Sequence, residues 1–345
     1  MTYISKTIML AIAFTLFVLG GCATEQSTQS SEESDVLNIY TTLYPLEYFV
    51  KEIGGTHVEV VSILPAGADH HTYEPTSKTL TDIATGDAFI YSGAQLETYA
   101  KKIQDALENE SVIHVEASNG IALLEYQGED EHAHEEEHGH EEDEHAHEEE
   151  EHGHEEDEHA HEEDAQDHDH GDVDPHVWLD PIRAISLAEN IKDTLVELKP
   201  GAEQDFEKNF DDLKAKLEKL DEDFHRKLES QERSEIAVTH AAYGYWEKAY
   251  GLKQISIAGL SSFDEPSQKQ IERVIDTVKN YHIKYLLFEQ NIEPKVAKVI
   301  QNEANLEALH IHNLSTLTEE DRNNDEDYFT LMYQNLDVLE KALEE

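Results

Sequence analysis

Histidine carries the chemistry of this chain. Of its 345 residues 22 are His, and three of them sit in loops suited to holding a ligand. His71 lies in Pro65-Ala66-Gly67-Ala68-Asp69-His70-His71-Thr72-Tyr73-Glu74-Pro75, a loop that follows a strand-like run. His176 lies in Asp174-Pro175-His176-Val177-Trp178-Leu179-Asp180-Pro181, a stiff stretch ahead of a helix, and His240 ends the strand-like IAVTH where AAYGYW begins. Ligands of open α/β sheets gather at the C-terminal ends of strands, where connecting loops converge. Three neutral imidazoles converging from separate loops make a tight Zn²⁺ site, with Zn–N distances of about 2.0–2.1 Å. One loop His alone is ordinarily structural or merely exposed. The three together, beside a His-rich repeat, point to metal binding.

That repeat supplies a second population of histidines. HAHEEEHGHEEDE, HAHEEEEHGHEEDE and a decaying third copy place His132 and His134, His138 and His140, His145 and His147, His152 and His154, His159 and His161, and His168 and His170 as H-x-H pairs among carboxylates. With no preformed cage, such pairs chelate Zn²⁺ weakly and reversibly. The segment is a low-affinity metal loop that collects zinc, or, in the plainer reading, a charged solvated spacer. Apart from a few Ala nothing in it is apolar, so burial cannot offset the cost of ordering it, and residues 129–172 read as a disordered insertion.

The elements that must position these residues alternate between strand-like and helical runs, which predicts an α/β fold with parallel βα sheets. Strands are expected at Leu37–Thr42, Val58–Leu64, Ala88–Tyr91 and Val112–Val115, and again at Ile236–Thr239, Gln254–Ala258, Tyr285–Phe288 and Ala308–Ile311. Helices are expected near Pro45–Ile53, Leu80–Thr85, Leu96–Leu107, Gly244–Tyr250, Ser267–Asn280, Pro294–Ala304 and Tyr328–Leu343. Asp180-Pro181 is an N-cap followed by Pro at the first helical position, opening a helix that Pro200-Gly201 breaks. From Ala202 to about Gln231, Phe206, Phe210, Leu213, Leu217, Leu220, Phe224 and Leu228 form one narrow apolar stripe on a charged helix. This helix reads as a rigid spine joining two lobes, with a coiled-coil dimer as the competing reading. The expected layout is residues 36–200 for the first lobe, 201–232 for the linker helix and 233–345 for the second lobe, with a metal in the cleft between them.

Charge and leader narrow the function further. The formal net charge is −52, and residues 129–174 alone contribute 25 acidic side chains with no Lys or Arg. Such a chain repels phosphate backbones, so nucleic-acid binding is not expected. With one cysteine there is no internal disulfide and no Cys-rich zinc finger. Lys6 followed by the mostly apolar Ile8–Leu19 is too short to span a bilayer and reads as a signal peptide over residues 1–21. The run ends in Leu19-Gly20-Gly21-Cys22, which resembles the lipobox of bacterial lipoproteins and makes Cys22 the expected site of lipidation. Residues 22–35 then form a polar tether, and the chain is expected on the extracellular face of a cell membrane of Gram-positive type, held by lipid.

Taken together, the lipobox, LPAGADHHTYEP, DPHVWLDP, THAAYGYW, the spine helix and FEQN resemble the zinc-specific solute-binding lipoproteins of bacterial ABC importers, over nearly the whole stretch from Leu37 to Leu343. The resemblance implies two α/β lobes joined by one long helix, a metal in the interlobe cleft, and a monomer working with an ABC permease and its ATPase. It carries the family's ligands onto His71, His176 and His240, because D-x-H-x-Y-E-P selects His71 over His70. It also implies a fourth, carboxylate ligand within a stretch like L-N-x-L-E-G-L-T, which here reads Ile311-His312-Asn313-Leu314-Ser315-Thr316-Leu317-Thr318, with Ser315 in the acidic position. A hydroxyl is a poor Zn²⁺ ligand, so the fourth position falls to water, with Ser315, Glu289 and His312 as possible neighbours. Relatives carrying Mn²⁺ pair two His with two carboxylates. His240 and Ser315 in those places favour Zn²⁺, since imidazole suits zinc and oxygen ligands suit manganese. An extracellular metal buffer or adhesin is the alternative function. A zinc hydrolase with Glu289 as general base is the weaker one, for the chain has no HExxH, G-x-S-x-G or phosphate loop.

Overall fold

The computed structural model describes residues 36–126, 173–262, 264–290 and 292–344. The leader, the tether with Cys22, and the twelve repeat histidines lie outside these residues. The described residues form one compact unit.

Two four-stranded parallel sheets organise it. The first has the order β2-β1-β3-β4, from β1 (Leu37–Thr41), β2 (Val58–Ser62), β3 (Ala88–Tyr91) and β4 (Ile113–Glu116). The second has the order β10-β9-β7-β8, from β7 (Glu235–His240), β8 (Lys253–Ala258), β9 (Tyr285–Glu289) and β10 (Glu307–Ile311). In each sheet the first strand pairs with both the second and the third, so each has one topological switch point, at β1 and at β7. A two-residue antiparallel ladder, β5 (Leu124–Glu125) with β6 (Val173–Asp174), ties together the two ends of the segment that carries the repeat.

The helices flank these sheets. Helix α1 (Tyr44–Gly54) follows β1, α2 (Ser77–Ala84) and α3 (Ala100–Ala106) cover the outer face of the first sheet with Ile83 and Ile103, and α4 (Pro181–Leu198) opens on the Asp180 cap. Asp180 accepts from the backbone N–H groups of Ile182 and Arg183 at 2.9 Å each, which satisfies two of the orphan donors at the helix start. The spine is α5 (Glu203–Leu228), and all seven of its stripe residues are buried. Its Asp205 and Lys216 pair with His57 and Glu52 of the first half, and its Lys227 pairs with Asp337 and Glu340 of the second. Helix α6 (Gly244–Tyr250) follows β7, and α7 (Gln268–Asn280) and α8 (Lys295–Ala304) cover the outer face of the second sheet. A single turn, α9 (Glu319–Asn323), precedes the closing helix α10 (Tyr328–Leu343). One core runs through both halves, from Leu37 through Phe49, Trp178, Leu217 and Trp246 to Leu343. The spine stripe is thus consumed by packing inside the chain, which removes the reason for a coiled-coil dimer. Among the described residues no helix is long and apolar enough to cross a membrane.

Candidate metal centre

Three loops meet between the sheets. The loop after β2 brings His70 and His71, the stretch between β6 and α4 brings His176, and the C-terminal end of β7 brings His240. The rings of His71, His176 and His240 lie within 5.4–5.9 Å of one another, centroid to centroid. His70 belongs to the same cluster, 4.1 Å from His71 and 6.0 Å from His176. His70, His176 and His240 are buried, with His176 and His240 at 0% exposure, and His71 is half-buried.

Carboxylates stand behind the imidazoles. Asp174 Oδ1 accepts from the His176 backbone N–H at 3.0 Å and lies 2.9 Å from its Nδ1. The ring proton is thereby fixed on Nδ1, and Nε2 is left buried, without a protein partner and free to ligate. Glu289 Oε1 stands 2.8 Å from His240 Nδ1 as a buried ion-pair neighbour, its other oxygen accepting from Asn313 Nδ2 at 2.6 Å. Asp69 Oδ1 accepts from the His71 backbone N–H at 2.7 Å, and its Oδ2 from Ser262 Oγ at 2.9 Å. Hydrogen-bonded imidazole backed by buried carboxylate is the arrangement that orients metal-binding histidines and raises their basicity.

Burial and charge set the protonation. Burial pushes His240 down, but the negative charge of the adjacent Glu289, with Asp69 and Asp174 adding to it, outweighs burial and holds the imidazole above its ordinary value. Burial likewise pushes Glu289 up, and His240 reverses that and holds it low. The imidazole beside Glu289 is therefore held in its protonated form, and a cation arriving at Nε2 has to displace the proton on that nitrogen while the one facing Glu289 stays. Burial, reinforced by His176 and His240, drives His70 well below the usual imidazole range and keeps it neutral.

The loop carrying His176 is held mainly by the second half of the chain. Tyr245 donates its hydroxyl proton to the Asp174 carbonyl at 2.8 Å, Trp246 Nε1 donates to the Leu179 carbonyl at 2.7 Å, and the Tyr328 hydroxyl donates to the Trp178 carbonyl at 2.7 Å. Trp178 Nε1 in turn donates to the Asn313 carbonyl at 2.8 Å. The opposite loop is fastened by Gly67 N–H to the Leu317 carbonyl at 3.1 Å and by Thr316 Oγ1 to the Pro65 carbonyl at 3.1 Å. Gly244 is needed for close approach here, because a methyl group on it would lie 2.5 Å from Asp174 Oδ2.

The three neighbours expected at the fourth position are otherwise engaged. Ser315 N–H and Oγ both donate to Asn313 Oδ1, at 3.0 and 2.9 Å. His312 accepts the Leu314 N–H on Nδ1 at 2.9 Å and places Nε2 3.2 Å from Asp321. Glu289 serves His240 and Asn313. Reading the sequence passed over His70, Asp69 and Asp174 as members of the site. The D-x-H spacing shared by Asp69-His71 and Asp174-His176 is the signal that marks both carboxylates, since a side chain two residues upstream reaches the backbone N–H of the histidine in a local turn.

A family model described as ZnuA, "Zinc-uptake complex component A periplasmic", matches residues 39–342. The zinc-binding lipoprotein AdcA of Streptococcus pneumoniae is 32% identical over 339 residues, covering 98% of this chain and 61% of that protein. The high-affinity zinc uptake system protein ZnuA of Bacillus subtilis is 32% identical over 337 residues, covering 97% of each. This chain thus spans about three fifths of the length of the AdcA relative and nearly all of the ZnuA one. Among solved structures, the Zn(II)-bound ZnuA-like domain of Streptococcus pneumoniae AdcA superposes with a TM-score of 0.69 at 31% identity, covering 90% of this chain and all of that one.

Proposed function

Because the chain belongs to the ZnuA family of zinc-uptake components, we propose that it captures Zn²⁺ outside the cell and delivers it to the permease of an ABC importer, whose ATPase drives uptake. The relatives named above are zinc-binding or zinc-uptake components, not enzymes, and the hydrolase alternative falls away with them. His71, His176 and His240 hold the ion, which is cargo rather than a resident cofactor. The observation that carries this reading is the convergence of imidazoles from three loops and both sheets, with a buried carboxylate hydrogen-bonded to Nδ1 of His176 and another 2.8 Å from Nδ1 of His240. Nitrogen donors in a desolvated pocket suit Zn²⁺. Lipid on Cys22 anchors the protein at the membrane surface, and the repeat from His132 to His170 collects zinc for the site.

Zinc titration against a competing chelator tests the reading. Single Ala replacements of His71, His176 and His240 should each weaken the tight site by orders of magnitude. Deletion of residues 129–170 should remove only weak equivalents, because each chelate in the repeat has to order its own backbone at about 1–2 kcal/mol per residue. A tight site that survives all three single replacements would refute the ligand assignment.

A further inference from the structure

We infer that His70 is a fourth nitrogen ligand of the captured metal, so that the ion sits in a cage of four imidazoles. The inference rests on the zinc-capture reading above and extends it to a residue which that reading leaves out.

His70 is 1% exposed, and neither of its ring nitrogens has a hydrogen-bond partner. Buried polar atoms in folded proteins are almost always satisfied, and an imidazole with both nitrogens orphaned needs a reason. Its position supplies one. Potential ligand atoms of His70, His71 and His176 all lie within 4.8 Å of one another, and among the described residues this is the one such group of three. Zinc bonds of about 2.0–2.1 Å in a tetrahedron place the nitrogens roughly 3.4 Å apart. The cluster therefore has at most about 1.4 Å to close to reach the coordinated state, a gap that rotation of imidazoles about their side-chain bonds can cover. The His240 ring lies next to this group, within 5.9 Å of His71 and 5.4 Å of His176, and would take the fourth corner by turning toward it.

The other residues within reach are committed elsewhere. Ser315 is turned onto Asn313, His312 is held between Leu314 and Asp321, and Glu289 accepts from Asn313 on one oxygen and faces Nδ1 of His240 with the other, behind the ring rather than at its Nε2. Charge is balanced without a ligating carboxylate. Asp69, Asp174 and Glu289 surround the imidazoles at one remove, each in contact with a histidine of the cluster. A four-nitrogen donor set suits Zn²⁺, and equally Cu²⁺ or Ni²⁺, over the oxygen-seeking Mn²⁺ and Ca²⁺. The competing role for His70 is packing, since its ring also meets Trp178 edge-on at 5.9 Å.

Zinc-edge X-ray absorption on the full chain decides between these roles, with half an equivalent of zinc added so that the tight site fills before the repeat. Scattering from four imidazoles is expected in the wild type. In His70→Gln, and in His70→Phe, which keeps the ring volume, the number should fall to three. The dissociation constant from chelator competition should rise by more than about 100-fold, beyond the range for loss of an outer partner. Three imidazoles in the wild type, or a His70→Gln protein with an unchanged spectrum and affinity within about threefold, overturns the inference. Should both variants fail to fold, the wild-type spectrum decides alone. A chain with no tight zinc at all sinks the capture reading and this inference with it, whereas a tight three-imidazole site sinks only the inference.

Discussion

Replacing Asp174 tests whether the carboxylate behind His176 serves the metal or only the fold. Asp174 is 3% exposed and satisfies two donors of one residue, the His176 backbone N–H at 3.0 Å and Nδ1 at 2.9 Å. Asp174→Ala leaves both buried donors without an acceptor. At about 1–2 kcal/mol for each, the metal-free protein should lose roughly 2–4 kcal/mol, read as a lower midpoint in urea. The same change frees the His176 ring to rotate and to move its proton, which costs about 10–100-fold in metal affinity. In energy that is about 1.4–2.7 kcal/mol. Asp174→Asn separates the two effects. Its amide oxygen still accepts from the backbone, so most of the stability should return, but the charge that makes His176 a better ligand is gone and zinc should remain weakened. Chelator competition and urea unfolding on both variants give four numbers. If Asp174→Ala loses stability yet binds zinc within about twofold of wild type, the carboxylate is a structural cap and its proposed role behind the ligand is wrong.

Three further outcomes follow from the geometry. Glu289 raises His240 and is itself held low, so the pair steadies the metal-free protein from about pH 4.5 upward and loses that contribution as pH climbs through the raised imidazole value. Zinc binding near neutral pH should accordingly release a proton, seen as a buffer-dependent heat in calorimetry, and Glu289→Gln should abolish that dependence. Leu217→Ala, at a fully buried point on the spine, should cost about 2–5 kcal/mol in urea unfolding while leaving the zinc dissociation constant unchanged. Hydrogen bonds hold Asp223 at about 2, Lys219 foremost with Tyr333 and Arg226 adding to it against the opposing effect of burial. The stability it contributes is present above about pH 4 and drains away toward pH 2, so Asp223→Asn should flatten that part of the urea-midpoint profile.

Much of the fold was legible because its signals are local. The 4,3 spacing of the spine stripe, the Asp180-Pro181 cap and the strand–helix alternation place α5, α4 and both sheets within a few residues of where they lie. The departures have non-local causes. A helix is expected from Leu96, but α3 starts at Ala100: Ala94 and Gln95 adopt left-handed φ of 52° and 64°. Glu97 turns inward there to accept from Thr42 Oγ1 at 2.5 Å and from the Ser92 and Gly93 N–H groups. The β5–β6 ladder pairs residues on either side of the repeat, a contact that no short window of sequence can reveal. Within the site, Asp69 and Asp174 act two residues from their histidines and leave a readable spacing. Glu289 reaches His240 only because β9 lies beside β7. His70 was passed over on motif alone, and what distinguishes it is burial, a property of packing.

The fastening of the two metal loops also fixes how often the cleft can part. Tyr245, Trp246, Tyr328 and Trp178 hold the His176 loop to the second half, and Gly67, Thr316 and Ser262 hold the opposite loop. At a net 0.5–1.5 kcal/mol for each hydrogen bond, breaking these seven together costs about 4–10 kcal/mol. A molecule alone in solution then spends less than roughly one part in several hundred with its loops apart. Whatever draws the ion out must contribute contacts worth at least that much to the parted form. Release is in this sense slowed in the free protein and quickened by an encounter that supplies contacts to the parted form.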